Sequence, residues 1–393
     1  MTSVSTQSNS ASAGGAWPAT LIAGALIIIA SEVLLFAVEL PARDWVIVGH
    51  DGAPLPGDLA APQGMLENYG RFVAYNMTPL CWIGYLLLFD GILTKLAFAR
   101  KDRAITSIRA RPNRFIVTWL TSIPVWCYFD WVNFKYLDAW RYHGMPDAYT
   151  ARVFGYFIAF AAISPGMFMA AQLFQHAGFA KLKTNNGKAN RIAAWTLLLS
   201  VVFILIAVSL AMMWFQEVPV PGWKPVAGSA VLMIVPGLIM WLWRRCPYAT
   251  SFAFGAAMNV WAIVIGDRIG CMTLWVGLFF MLDPIAHHLG GPSLIRDWLE
   301  GRWGRLLSLF AGGALCGFCW EFWNYYALTK WTYHLDFVGP LEAYKYFEMP
   351  WIGFLGFLPF AVECWVALNV IVAVMEKMKL RVAERLPDDD AVM

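Results

Sequence analysis

Ten apolar stretches, each near the length needed to cross a bilayer, constrain this chain more than any other feature. A helix rising 1.5 Å per residue needs roughly 20 residues to span a hydrocarbon core about 30 Å thick. The stretches lie near 17–40, 71–94, 115–136, 152–174, 192–215, 226–243, 250–266, 270–286, 306–328 and 351–376. Spans seven and eight are short and joined by Gly266-Asp267-Arg268-Ile269-Gly270, so they read either as two helices or as one kinked or re-entrant segment. Lipid offers the backbone no hydrogen bonds, so runs of this kind must be helical. Composition agrees: 59% of residues are hydrophobic and 14% charged, where a soluble domain is about a quarter charged. A disordered chain and a disulfide scaffold are excluded. A net charge of +3 is too small for a nucleic-acid-binding surface. The seven cysteines fall mostly in apolar runs and read as reduced thiols. The expected fold is an all-α polytopic membrane protein.

Basic loops set the expected orientation, since Lys and Arg accumulate on the cytoplasmic side. Lys95, Arg100, Lys101, Arg103, Arg109, Arg111 and Arg114 follow span two, and Lys181, Lys183, Lys188 and Arg191 follow span four. Arg244-Arg245 end span six, Arg296, Arg302 and Arg305 follow span eight, and Lys377, Lys379, Arg381 and Arg385 lie in the tail. Every second loop is basic. That alternation predicts ten spans in the cell inner (plasma) membrane with both termini cytoplasmic. Residues 1–16 are Ser/Ala/Gly-rich and uncharged, and are expected to be a disordered segment rather than the basic start of a signal peptide.

The chain also repeats itself. Trp17, Glu39, Pro41 and Trp45 recur in order as Trp195, Glu217, Pro219 and Trp223. Trp82, Gly84 and Asp90 recur as Trp275, Gly277 and Asp283. Asp130, Asn133, Leu137, Trp140, Tyr142 and His143 recur without a gap as Glu321, Asn324, Leu328, Trp331, Tyr333 and His334, and Pro165 as Pro359. The reading is two parallel tandem repeats of four helices. The first occupies 17–191. The second occupies 192–376, built of spans five and eight to ten with a hairpin, 226–266, inserted, and a cytoplasmic tail comes last at 377–393. An inserted pair keeps the sidedness of the later spans, so the repeats are parallel rather than inverted.

An ionisable group inside a membrane costs roughly 2.5–3.5 kcal/mol at mid-helix and needs a reason to be there. Asp130 and Glu321 occupy equivalent places near the outer ends of spans three and nine, and Asn133 and Asn324 lie one turn on, on the same face. The spans then leave through Trp140-Arg141-Tyr142-His143 and Trp331-Thr332-Tyr333-His334. Duplicated acid, amide, Trp, Tyr and His make a candidate cavity between the halves, or equally a polar clamp with an interfacial aromatic belt. The halves then diverge: Glu348 has no counterpart, and Met169 stands where the second half has Glu363. That asymmetry points to one site built mainly from the second half. The candidate catalytic acids are Glu321, Glu342, Glu348 and Glu363. Asp130, Asn133, Asn324, Trp140, Trp331, Tyr333, His143 and His334 are candidate substrate-binding groups. Asp90 and Asp283 read as helix-end and loop-pairing groups, Glu32 as either a cavity or a clamp residue, and Cys316 and Cys319 as packing thiols. His287-His288 point in different directions on a helix, so no metal site is expected, and no cofactor is.

Trp323-Asn324-Tyr325-Tyr326-Ala327, Trp331-Thr332-Tyr333 and Pro340-Leu341-Glu342-Ala343-Tyr344-Lys345-Tyr346-Phe347 resemble the lycopene cyclase domain of small polytopic carotenoid cyclases. The resemblance covers about 30 residues, with an echo at 130–143. Asn324 stands where that family has Asp, and Ala343 where it has a second Glu, so the family's acid role falls on Glu342 alone. The resemblance implies a cofactor-free enzyme that protonates a polyene with a carboxylic acid and guides the carbocation with aromatic faces. The expected ligand is therefore an isoprenoid, carotenoid or other lipid-soluble small molecule, in contact with membrane lipids and with no nucleic acid. Two other classes fit the same residues: a secondary transporter or channel with its cavity between the repeats, and a membrane scaffold subunit of a larger complex.

Overall fold

A computed structural model describes residues 18–37, 64–100, 108–145, 148–184, 238–239, 241–265, 273–380 and 392. The chain is an all-α membrane protein in which six of the described helical segments are long and apolar enough to cross a membrane. They are Ala19–Ala37, Met65–Arg100, Pro112–Leu137, Tyr149–Ala177, Gly304–Tyr326 and Trp351–Lys377. They coincide with expected spans one to four, nine and ten. Span five lies outside the described residues, and so does most of span six.

In chain order the helices are α1 (Ala19–Ala37), α2 (Met65–Arg100), α3 (Pro112–Val132), α4 (Tyr149–Ala177), α5 (Pro247–Ile265), α6 (Leu274–His288), α7 (Leu294–Leu299), α8 (Gly304–Tyr326) and α9 (Phe357–Lys377). Expected spans seven and eight are thus two helices, α5 and α6, packed on one another. Thr273 Oγ1 donates to the Met258 carbonyl at 3.0 Å, and Ser251 Oγ to that of Phe280 at 2.9 Å. Glycines set how closely the pair meets. A Cβ on Gly255 of α5 would strike the backbone of Gly277 and Met281 on α6, as one on Gly24 of α1 would strike Gly84 and Leu88 on α2.

Buried carboxylates tie α2 and α6 to the segments that follow them. Asp90 accepts from the Ile108 amide at 2.6 Å. Asp283 accepts from Ser293 Oγ at 2.6 Å and from the amides of Leu294 and Ile295 at 2.7 and 3.2 Å. Both perform the expected loop pairing, but Asp90 stands well inside α2, which continues to Arg100, rather than at its end. Nearby, the buried Arg305 bonds Asp297 at 2.7 Å and stacks 4.9 Å over the Trp365 ring.

Two local breaks open space at the opposite end. α2 loses helical geometry at Asn76 (φ −117°, ψ 17°), just before Pro79, whose ring and missing N–H disrupt the preceding turn. At the break the Asn76 side chain donates to the Phe72 carbonyl at 2.8 Å. α3 widens into a π-helical turn, Asn133–Leu137, and Asp138 then turns the chain in the left-handed region at φ 46°. Strand β1 (Trp140–His143) leaves from there and pairs antiparallel with β2 (Lys330–Tyr333), the strand after α8. Large apolar side chains on α1 (Ile22, Leu26, Ile29, Val33) and on α3 (Ile116, Leu120, Trp131) point outward, as expected of surfaces solvated by lipid.

Candidate functional site

The β1–β2 pairing organises the site. Its register places Trp140 opposite Tyr333, Tyr142 opposite Trp331, and Arg141 opposite Thr332. Each tyrosine therefore faces the tryptophan that precedes the other.

Two buried asparagines hold the strands in place. Asn133 donates to the Trp140 carbonyl at 2.8 Å and accepts from the amides of Ala139 and Trp140 at 2.8 and 3.1 Å. Asn324 donates to the Trp331 carbonyl at 2.8 Å and accepts from its amide at 2.9 Å. An amide side chain offers both a donor and an acceptor, which is why Asn suits a helix end that hands over to a strand. Asp in its place would lack the donor.

One turn earlier on each helix stands the acid. Asp130 is 8% exposed and Glu321 fully buried. Asp130 Oδ1 accepts from Tyr142 Oη at 2.9 Å and from Trp140 Nε1 at 3.0 Å, while Trp126 Nε1 donates to Tyr142 Oη at 3.2 Å. Glu321 Oε1 accepts from Tyr333 Oη at 2.7 Å, and Tyr333 Oη in turn accepts from Trp331 Nε1 at 2.8 Å. Glu321 Oε2 makes no hydrogen bond among the described residues. Burial, and then the adjacent carboxylate, push both tyrosines well above the usual phenol range. Each hydroxyl thus keeps its proton and donates it to its acid.

A cavity of about 570 Å³ opens over these tyrosines, a size typical of a site for one small organic ligand. Six tryptophans line it: Trp82, Trp126, Trp140, Trp275, Trp320 and Trp331. Several meet edge to face, as Trp320 and Trp331 do at a centroid distance of 5.6 Å, the arrangement ring quadrupoles favour. Tyr142 and Tyr333 line the cavity, and Asp130 and Glu321 stand directly behind them.

The remaining expected residues lie around or away from this chamber. His143 Nε2 meets Thr332 Oγ1 at 2.8 Å. His334 Nδ1 lies 3.7 Å from Glu342, whose Oε1 accepts from the Leu335 amide at 3.0 Å. Glu348 is ion-paired with Lys330, and Lys330 also lies over the Tyr325 ring. Glu363 is 1% exposed on α9 and faces the α6 backbone at Leu278 and Phe279. Its oxygens make no hydrogen bond among the described residues, and it does not line the cavity. The structure thus gathers Asp130, Glu321, Asn133, Asn324, Trp140, Trp331 and Tyr333 around the chamber. It places His143 at the end of β1, Glu342, Glu348 and His334 in the adjoining segments, and Glu363 elsewhere.

Sequence reasoning placed Tyr142 in the duplicated set that forms the candidate cavity but did not single it out as a binding group, although its equivalence to Tyr333 in the repeat pointed to it. It also missed Trp126, one turn before Asp130, and the α2 segment around Asn76, where Pro79 was the available signal. Among the described residues, no three His, Cys, Asp or Glu side chains come together as metal ligands would. No protein-family model matches the chain, and neither the curated proteins nor the solved structures contain a match to it.

Proposed function

We propose that the protein is an integral-membrane enzyme that rearranges an isoprenoid-class or other lipid-soluble unsaturated substrate by acid–base chemistry in the tryptophan-lined chamber. One observation carries this reading: the two carboxyls directly behind the chamber wall are each joined to it by a tyrosine hydroxyl. Protonating one carbon of a polyene and removing a proton from another leaves its composition unchanged. A ring closure or double-bond shift of that kind needs no co-reactant. Tyr333 passes its hydroxyl proton to the substrate and is reprotonated by Glu321, while Tyr142 takes a proton from the substrate as its own moves to Asp130; proton exchange with water then returns both acids to their starting states. The tryptophan faces stabilise the intervening carbocation by roughly 0.5–2 kcal/mol per contact. The resemblance of 323–347 to carotenoid cyclases supports the same chemistry, with the acid moved from Glu342 to Glu321.

The reading includes the duplication. Asn133 and Asn324 make matching bonds to their strands, the strand register is symmetric under exchange of the halves, and Asp90 and Asp283 tie matching loops. The glycine contact of α5 on α6 matches that of α1 on α2. It supports α5, α6, α8 and α9 as the second copy, with the inserted pair at expected spans five and six; the match of Trp17–Trp45 to Trp195–Trp223 favours the other placement, with spans six and seven inserted. Insertion of two spans keeps both copies parallel, with both termini at the cytoplasmic face of the inner membrane.

The test is a lipid extract of the producing host. Glu321→Gln and Tyr333→Phe are each expected to accumulate an isomer of the normal product, with unchanged mass and altered absorption or retention. Glu363→Gln, outside the chamber, is expected to leave the extract as in wild type. Unchanged extracts from both chamber variants contradict the enzyme. Counterflow of a labelled solute that these variants abolish would assign the chamber to a transporter instead.

A further inference from the structure

The chamber wall is mainly apolar and aromatic, with a few neutral polar groups such as Asn76, Thr78 and Thr329. Among the residues that line it, Arg152 is the single charged side chain. It stands in the first turn of α4 and is half-buried. Among the described residues, its guanidinium has neither an ion-pair nor a hydrogen-bond partner. Gly155, Tyr156, Ala159 and Ile163 continue the same face of α4 along the chamber wall, at the spacing that keeps side chains on one side of a helix. Arg152 is therefore the first member of a stripe that runs from a cation into the tryptophan-lined interior.

A cation that is unpaired among the described residues, at the head of a mainly apolar chamber, is the complement of an anionic amphiphile. Resting on the reading of the chamber as a substrate site, we propose that the substrate is a single-chain amphiphile with a carboxylate or phosphate head. The head is bound by Arg152, and its unsaturated chain reaches inward past Tyr156 to Tyr142 and Tyr333. The planar guanidinium fork matches either head group by paired N–H donors. A chamber of about 570 Å³ suits one chain and not the two of a membrane phospholipid. Anchoring the head also fixes which carbon of the chain lies over the tyrosines, the kind of positioning on which a proton transfer depends.

Binding to the full chain in detergent, read by quenching of its tryptophan fluorescence, tests this with a matched pair of polyenes, retinoate and retinol. Wild type is expected to bind retinoate about tenfold or more tightly than retinol, the range for a charge-assisted hydrogen bond. Arg152→Gln should erase that preference without weakening retinol, and Arg152→Lys should keep part of it. Farnesyl phosphate should displace retinoate, whereas inorganic phosphate and phosphatidate-containing micelles should not. Displacement by phosphatidate would assign the site to bulk lipid and overturn the single-chain proposal. Equal binding of retinoate and retinol to wild type overturns the anionic head and leaves the chamber standing. Absence of binding by both polyenes overturns the chamber reading itself, and this proposal with it.

Discussion

At the scale of single residues, the asparagines set the position of the acids. Each bonds buried strand backbone that has no water to turn to, and an orphaned buried group costs about 1–3 kcal/mol. Asn324→Ala is therefore expected to lower the thermal midpoint in detergent, and Asn133→Ala, which loses three bonds, to lower it at least as far. Midpoints equal to wild type would show that the strand pair is held by other contacts. His143 gives the region a pH dependence. Burial, then Lys330 and Arg141 against the opposing pull of Glu348, lower its pKa from the ordinary 6.5. The unfolded chain then binds the His143 proton more readily than the folded one, so stability is full above about 6.5 and falls as the pH drops below it. A melting series from pH 7.5 down to 5.5 should show that decline, and His143→Gln should flatten it. A slope unchanged in the variant would assign the dependence to another group. The asparagines were legible in the sequence because an i, i+3 pair recurs in both halves. The isolation of Glu363 from the chamber was not, since a helix pattern says that a residue is buried without saying against which neighbour.

At the scale of elements, two helix pairs carry much of the packing, and both rest on backbone-to-backbone contact at glycine. Overpacking a tight contact costs typically 1–3 kcal/mol. Gly24→Leu and Gly255→Leu are accordingly expected to destabilise by similar amounts in detergent melts, because each would drive a side chain into a facing helix backbone. A large effect at one and none at the other would contradict equivalent roles for α1 and α5. Asp283→Ala should also destabilise, since it strands Ser293 and the first two amides of α7. Most helices could be read from apolar length alone. The pairing of α5 with α6 could not, because its signature is small residues whose meaning appears only when two helices meet. The kink at Asn76 and the π turn after Val132 depend on tertiary packing, and of the two only Pro79 left a mark in the sequence.

At the scale of the whole molecule, the strands β1 and β2 join the two halves, and the chamber takes its wall from both. Composition announced an aromatic-rich membrane protein but not which rings share a cavity. Of 21 tryptophans, the chamber collects six, brought from α2, α3, α6 and α8 as well as the two strands. That convergence is a property of the assembled bundle and of no single segment. The central claim is that this space holds a lipid-soluble small molecule, and Gly155 offers a direct way to fill it. It lines the chamber, and a Cβ placed there meets no atom within 4 Å, so Gly155→Phe adds bulk at a chamber position where the first side-chain atom meets no neighbour. The decisive measurement is native mass spectrometry, with organic extraction, of wild type and Gly155→Phe purified from the producing host. Wild type is expected to carry one lipid-soluble small molecule per chain, and the folded variant to have lost it. Identical extracts from the two proteins would contradict the account.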